Sequence, residues 1–115
     1  MTKQTALHAA HLALEKKAEN IKILFLRPLT SIADYFVLCT GATDTHVRAI
    51  ADHIAEQLEL EEVRLWHIEG RERAHWILLD FVDFVVHVFQ PETRQFYGLE
   101  RLWGDAETEE IRDQP

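Results

Sequence analysis

Cysteine is almost missing from this chain: Cys39 is the only one, so no disulfide can form within it. Preceded by Tyr35-Phe36-Val37-Leu38, its thiol reads as a small buried hydrophobe in a reducing compartment, which points to the cytoplasm. Long apolar runs are missing too. No stretch approaches the ~18 residues that span a bilayer, and the N-terminus lacks the basic-then-apolar order of a signal peptide, so no membrane partner is expected. A transit peptide is also excluded, because residues 1–20 read as a helix that the core requires. Positive charge is scarce: 12 Lys and Arg face 20 Asp and Glu, a formal charge of −8. That balance repels phosphate backbones, argues against nucleic acid as the main ligand, and favours a basic partner.

The patterns that carry chemistry are equally thin. Thr40-Gly41-Ala42-Thr43-Asp44 leads into a helix whose free N–H groups could hold phosphate. Yet it has one glycine, not a G-x-G-x-x-G or Walker pattern, and the Asp44 carboxylate would occupy the anion's place. A helix cap is the simpler reading. His46, His53 and Glu56 share a helix at spacings of seven and three, whereas zinc ligands on one helix sit at i and i+4. His8, His11, His67, His75 and His87 form no ligand pattern. Asp80 and Asp83 flank a hairpin tip and could hold magnesium for nucleotide chemistry, but a phosphate-gripping loop is lacking, and aspartates at turns have local hydrogen-bonding roles. No catalytic residue, metal or cofactor is therefore expected. A small metal-dependent nucleotidyltransferase using Asp80 and Asp83 is the alternative function.

What is present suffices for one α/β (α+β) domain: 115 residues, 47% of them hydrophobic. Leu7, Ala10, His11, Leu14 and Ala18 recur at helical spacing across Thr2 to Glu19, with Asn20 as a stop. Ile21 to Leu26 and Tyr35 to Thr40 are short apolar runs typical of central strands. The Arg27 to Asp34 loop between them is too short for a crossover, so they pair antiparallel. Thr43 or Asp44 caps a helix to about Leu60, with Val47, Ile50, Ala51, Ile54 and Leu58 inside, followed by a strand at Val63 to Ile68. This strand–helix–strand unit should be parallel. Trp76 to Phe81 and Phe84 to Phe89 form a hairpin, and Gln90-Pro91-Glu92 opens a last helix. The expected order is αββαββα around a five-stranded mixed sheet. Residues 1–103 form the domain. Residues 104–115 hold five acids and one base and read as a solvated, mobile tail.

Aromatic residues crowd the stretch from Trp76 to Trp103, where Ile77, Leu79, Val86, Val88, Leu99 and Leu102 already meet core needs. Alternation puts Trp76, Leu78 and Asp80 on one sheet face, a large apolar anchor beside a charge, as in protein-binding hot spots. Trp76 is either such an anchor or a residue packed under the last helix.

At this point the sequence resembles the ribosomal silencing factor family, RsfS or Iojap-like. The resemblance runs through Ser31, Asp34-Tyr35-Phe36, Thr40-Gly41, His46, Ile50-Ala51-Asp52 and Glu69-Gly70. It is densest in Trp76, Asp80, Asp83, Val86-His87-Val88-Phe89, Glu92, Arg94, Tyr97, Leu99-Glu100 and Leu102-Trp103. It implies a non-enzymatic factor that docks on the large ribosomal subunit through the basic ribosomal protein L fourteen, blocks joining of the small subunit and represses translation under nutrient limitation. It implies a nucleotidyltransferase-like fold without catalytic apparatus, little direct RNA contact, and compatibility with a homodimer. Carried over by motif, Trp76 is the apolar anchor, Asp80 and Asp83 are acidic contacts, and His87 and Tyr97 are supports or rim contacts.

This chain departs from the family pattern at two positions. Val82 stands where glycine is usual between the two aspartates, and a β-branched residue resists positive φ. The expectation is a hairpin that avoids positive φ at Val82 and so shifts Asp83. Thr45 stands where arginine is common.

Overall fold

Alanine sets how the first helix meets the sheet. The computed structural model describes residues 2–112, and in it α1 (Thr2–Glu15) buries Ala6, Ala9, Ala10, Leu12 and Ala13. The expected inner row is thus rotated: His11 is exposed, and Leu7 and Leu14 lie half-buried at the margin. Small side chains let α1 lie close on β1 and β2, so the wider residues are turned to the sides. The helix also stops earlier than Glu19. Lys17 takes φ +63, Lys17 N–H donates to Leu14 O (2.9 Å) and Ala18 N–H to Ala13 O (3.1 Å), a paired closure that ends the helix.

The second helix, α2 (Asp44–Leu60), buries the expected face of Val47, Ile50, Ala51, Ile54 and Leu58. Thr43 is its cap, its hydroxyl accepting from His46 N–H at 3.1 Å. His46 then joins the two helices. Its Nδ1 accepts from Ala42 N–H (3.0 Å), so Nε2 carries the proton and donates to Lys16 O (2.7 Å).

The sheet has six strands in the order β3-β4-β5-β2-β1-β6. β1 (Glu19–Phe25) and β2 (Tyr35–Thr40) pair antiparallel as expected, and β4 (Trp76–Asp80) and β5 (Phe84–Phe89) form the hairpin. The parallel partner of β2 is β5, not the strand that follows α2. That strand, β3 (His67–Glu69), is shorter than Val63 to Ile68 and sits at the far edge against β4. Val63 and Leu65 instead pack into the helix-side core from irregular backbone, which uses up the apolar residues that suggested a longer strand.

The C-terminal side differs from the expectation in two places. The last helix is two, α3 (Pro91–Tyr97) and α4 (Leu99–Leu102), divided at Gly98, whose φ of +57 lets its N–H close on Arg94 O. Residues Glu107–Ile111, expected in a solvated tail, form β6 on the outer side of β1, with Lys22 opposite Glu110 and Ile111 buried opposite Ile21. The charged residues blunt an edge strand, and one apolar side chain anchors it. Residues 113–115 of the tail lie outside the described residues. The order is therefore αββαβββααβ, with three strands between α2 and α3 and one at the end.

Both helices α1 and α2 cover one sheet face, where Cys39 is fully buried and burial pushes its thiol up to about 12. The opposite face carries Leu24, Phe36, Leu38, Val85 and Phe89, against which Trp76, Leu78, Leu99 and Trp103 are half-buried. This second face is only partly covered.

Candidate protein-docking site

Strand register assembles an aromatic cluster on that second face. Trp76 lies opposite Phe89, and Leu78 opposite His87, while His87 also neighbours Leu38 of β2. Trp76 packs on Phe89 and on Tyr97 of α3, each at a ring distance of 4.9 Å. Phe36 meets His87 edge-on at 4.5 Å and Trp103 at 6.3 Å. Such tilted and edge-on contacts add attraction beyond the area they bury.

His87 holds this cluster from within. Trp76 Nε1–H donates to His87 Nδ1 at 3.1 Å, so the neutral imidazole carries its proton on Nε2. Only 3% of His87 is exposed, and Nε2 has no hydrogen-bond partner among the described residues. Burial lowers its pKa from 6.5 to about 3, keeping it neutral. A rim contact is thereby excluded for His87: it orients the Trp76 indole from below.

Tyr97 is 54% exposed and packs on Trp76, whose indole also rests on Phe89 and stays half-buried. Trp76 is thus packed beside α3 yet only half-buried. Of the neighbouring aromatics, Phe96 faces outward and Trp103 inward.

The two aspartates lie elsewhere on the hairpin. Asp80 shares the Trp76 face four residues on, roughly 13 Å along the strand. Its Oδ1 accepts from Val82 N–H at 2.7 Å, and Asp83 is exposed at the tip. Trp76, His87 and Tyr97 come together; Asp80 and Asp83 form a separate acidic end.

Val82 corrects an expectation. Its φ is +77, with Asp83 N–H donating to Phe81 O and Phe81 N–H to Phe84 O, both at 3.0 Å. The i to i+2 hydrogen bond and positive φ are those of a γ-turn, strained for a β-branched residue. The Asp80 carboxylate on the Val82 amide holds the turn despite that strain. Gly70 allows a second tight passage: at φ +85, a side chain there would meet Trp76 O at 2.0 Å.

Arg94 is the residue whose role the sequence concealed. At 8% exposure it ties α3 to the sheet, with Nη1 donating to Asn20 O (2.7 Å) and Thr40 Oγ1 (2.8 Å), and Nε donating to Glu100 (3.0 Å). Glu100 also accepts from Lys22 Nζ at 2.9 Å. Burial works to raise the Glu100 pKa, but these two cations hold it below the usual carboxylate value. Arg94 is the only buried side chain of α3, so this network fixes the segment that carries Tyr97. Its signal was a basic residue and a carboxylate six positions apart, which only the break at Gly98 brings together.

Residues 1–115, the whole chain, match the family described as ribosomal silencing factor during starvation, RsfS. The chain belongs to this family. The ribosomal silencing factor RsfS of Halalkalibacterium halodurans is 39% identical over 112 residues, covering 96% of each chain. A Chromobacterium violaceum crystal structure superposes with a TM-score of 0.88 at 29% identity, covering 100% of this chain and 90% of the other. A more distant relative is the mouse mitochondrial assembly of ribosomal large subunit protein 1, 30% identical over 92 residues, 77% of this chain and 40% of that one. The RsfS family is one of ribosome-associated regulators rather than enzymes, which sets aside the nucleotidyltransferase alternative. No helix among the described residues is long and apolar enough to cross a membrane.

Proposed function

We propose that this RsfS-family chain silences translation by docking on the large ribosomal subunit through a basic ribosomal protein, L fourteen in the family resemblance, and so blocking joining of the small subunit. The observation that carries the site is the Trp76 indole: held by His87 below and Tyr97 beside, it is half-buried rather than sealed in the core. A rigid aromatic of this kind loses little entropy on binding and is the usual anchor of a hot spot. Asp80 and Asp83 supply acidic contacts at the hairpin tip, and the net charge of −8 suits a basic partner while opposing extensive contact with ribosomal RNA. His87 acts through Trp76, and Tyr97 lies at the rim. The name of the mouse relative supports the large subunit as the target. We further infer that the protein acts in the cytoplasm without a cofactor, that its parallel β2–β5 pair belongs to a nucleotidyltransferase-like fold, and that self-association as a homodimer accompanies the docking role.

Sedimentation tests this directly. The pure protein should comigrate with large subunits and lower the yield of joined ribosomes. Failure to comigrate, or unchanged joining at saturating protein, contradicts it.

A further inference from the structure

At the end of the sheet where β2 and β5 both finish, a cleft of about 440 Å³ opens beside β1 and the α3–α4 turn. This is the carboxyl end of the parallel strand pair, the location where α/β sheets take ligands. Asn20, Thr40, Arg94, Gly98, Glu100 and Arg101 are among its walls.

Arg94 offers five N–H donors in a fixed plane. Nε serves Glu100, and the two hydrogens of Nη1 serve Asn20 and Thr40. Nη2 has no hydrogen-bond partner among the described residues, yet it is not sealed in the core, where His87 Nε2 alone is enclosed without a partner. A nine-tenths-buried guanidinium therefore reaches the cleft with two donors to spare. Arg101 adds a second. Its guanidinium lies over Gly98, within 3.2 Å of where a side-chain carbon would sit, and it has no acidic partner among the described residues. Glu100 is occupied by Arg94 and by Lys22 from outside the cleft, so the lining pairs two arginines with two acids, one of them already neutralised, in a chain that is strongly acidic overall.

We propose that this cleft binds a small oxyanion, a phosphate monoester or a carboxylate, received by Nη2 of Arg94 and the guanidinium of Arg101. Planar paired donors suit such groups. The source is a free small molecule, because Glu19 at the rim and the net charge of −8 oppose a polyanionic backbone. An occupant would bridge the sheet to α3–α4 and firm the segment that carries Tyr97.

The test is nuclear magnetic resonance on the full ¹⁵N-labelled chain at constant ionic strength. Inorganic phosphate, acetate, chloride and a short single-stranded RNA serve as probes. Phosphate or acetate should saturably shift Arg94 Nε–Hε and the Gly98 and Arg101 amides, while chloride should not. Arg101→Ala, an exposed change outside the buried network, should weaken binding about tenfold or more, the loss expected of a charge-assisted contact. Lys3→Ala should leave it unchanged. Shifts that do not saturate, that chloride reproduces or that survive Arg101→Ala overturn the proposal. So does RNA shifting these resonances where inorganic phosphate does not.

Discussion

The indole N–H of Trp76 donates at 3.1 Å to Nδ1 of His87, a histidine buried beneath the aromatic face of the sheet. One hydrogen bond therefore couples the orientation of a surface residue to the protonation of a core residue. Burial, which keeps the ring neutral, makes His87 the acid-sensitive member of the pair.

Unfolded, His87 takes up a proton near the ordinary value of 6.5; folded, it resists until about 3. Between those values the unfolded state binds more protons, so the stability His87 contributes is complete above pH 6.5 and is lost as pH falls toward 3. The slope reaches at most ~1.4 kcal/mol per pH unit for this group. Urea unfolding at pH 7.5, 6 and 5 should show a shallower decline in His87→Gln than in the wild type. Equal slopes would mean that His87 is not held neutral.

Glycine at position 82 should relieve the hairpin turn. A non-glycine residue at positive φ costs ~1–3 kcal/mol, offset by ~0.4–1 kcal/mol of unfolded-chain entropy that glycine adds. Val82→Gly should thus stabilise the fold by about 1 kcal/mol, read as a higher melting temperature. A lower one would show that the turn is unstrained.

Arg94→Met should destabilise the chain by about 2 kcal/mol or more, since it removes the half-buried ion pair to Glu100, which keeps Lys22, and takes the donor from Thr40 Oγ1 and Asn20 O. Hydrogen exchange should rise first in α3 and α4 rather than in the sheet. Uniformly increased exchange would mean that Arg94 does not act on this segment in particular.

Ile111→Asp distinguishes strand from tail. With Ile111 buried against β1 and opposite Ile21, burying an unpaired carboxylate should cost about 2 kcal/mol or more in chemical denaturation. No change would return these residues to a solvated tail.

Much of this architecture is legible because periodicity reports burial. The inner face of α2 and the central strands follow from it, as does the alternation that puts Trp76 with Asp80. Alternation left open whether Trp76 stands out as an anchor or packs under the last helix; in the structure it packs on Tyr97 and is half-buried. Other features escape because tertiary contacts override local preference. Alanine, a weak apolar signal, carries the buried face of α1. Four acidic or polar residues hide β6, whose only apolar anchor is Ile111. Val82 adopts a backbone that its side chain disfavours because the Asp80 carboxylate holds its amide. Arg94 reads as one more surface charge until Gly98 folds Glu100 back onto it.

If the half-buried Trp76 anchors docking, as proposed, binding should depend on its indole. The most direct measurement is the affinity of Trp76→Ala for large ribosomal subunits, beside the wild type, with circular dichroism to verify the fold. A hot-spot truncation costs at least ~2 kcal/mol, so binding should weaken about thirtyfold or more in a folded protein. Wild-type affinity in folded Trp76→Ala would mean that Trp76 is not the anchor.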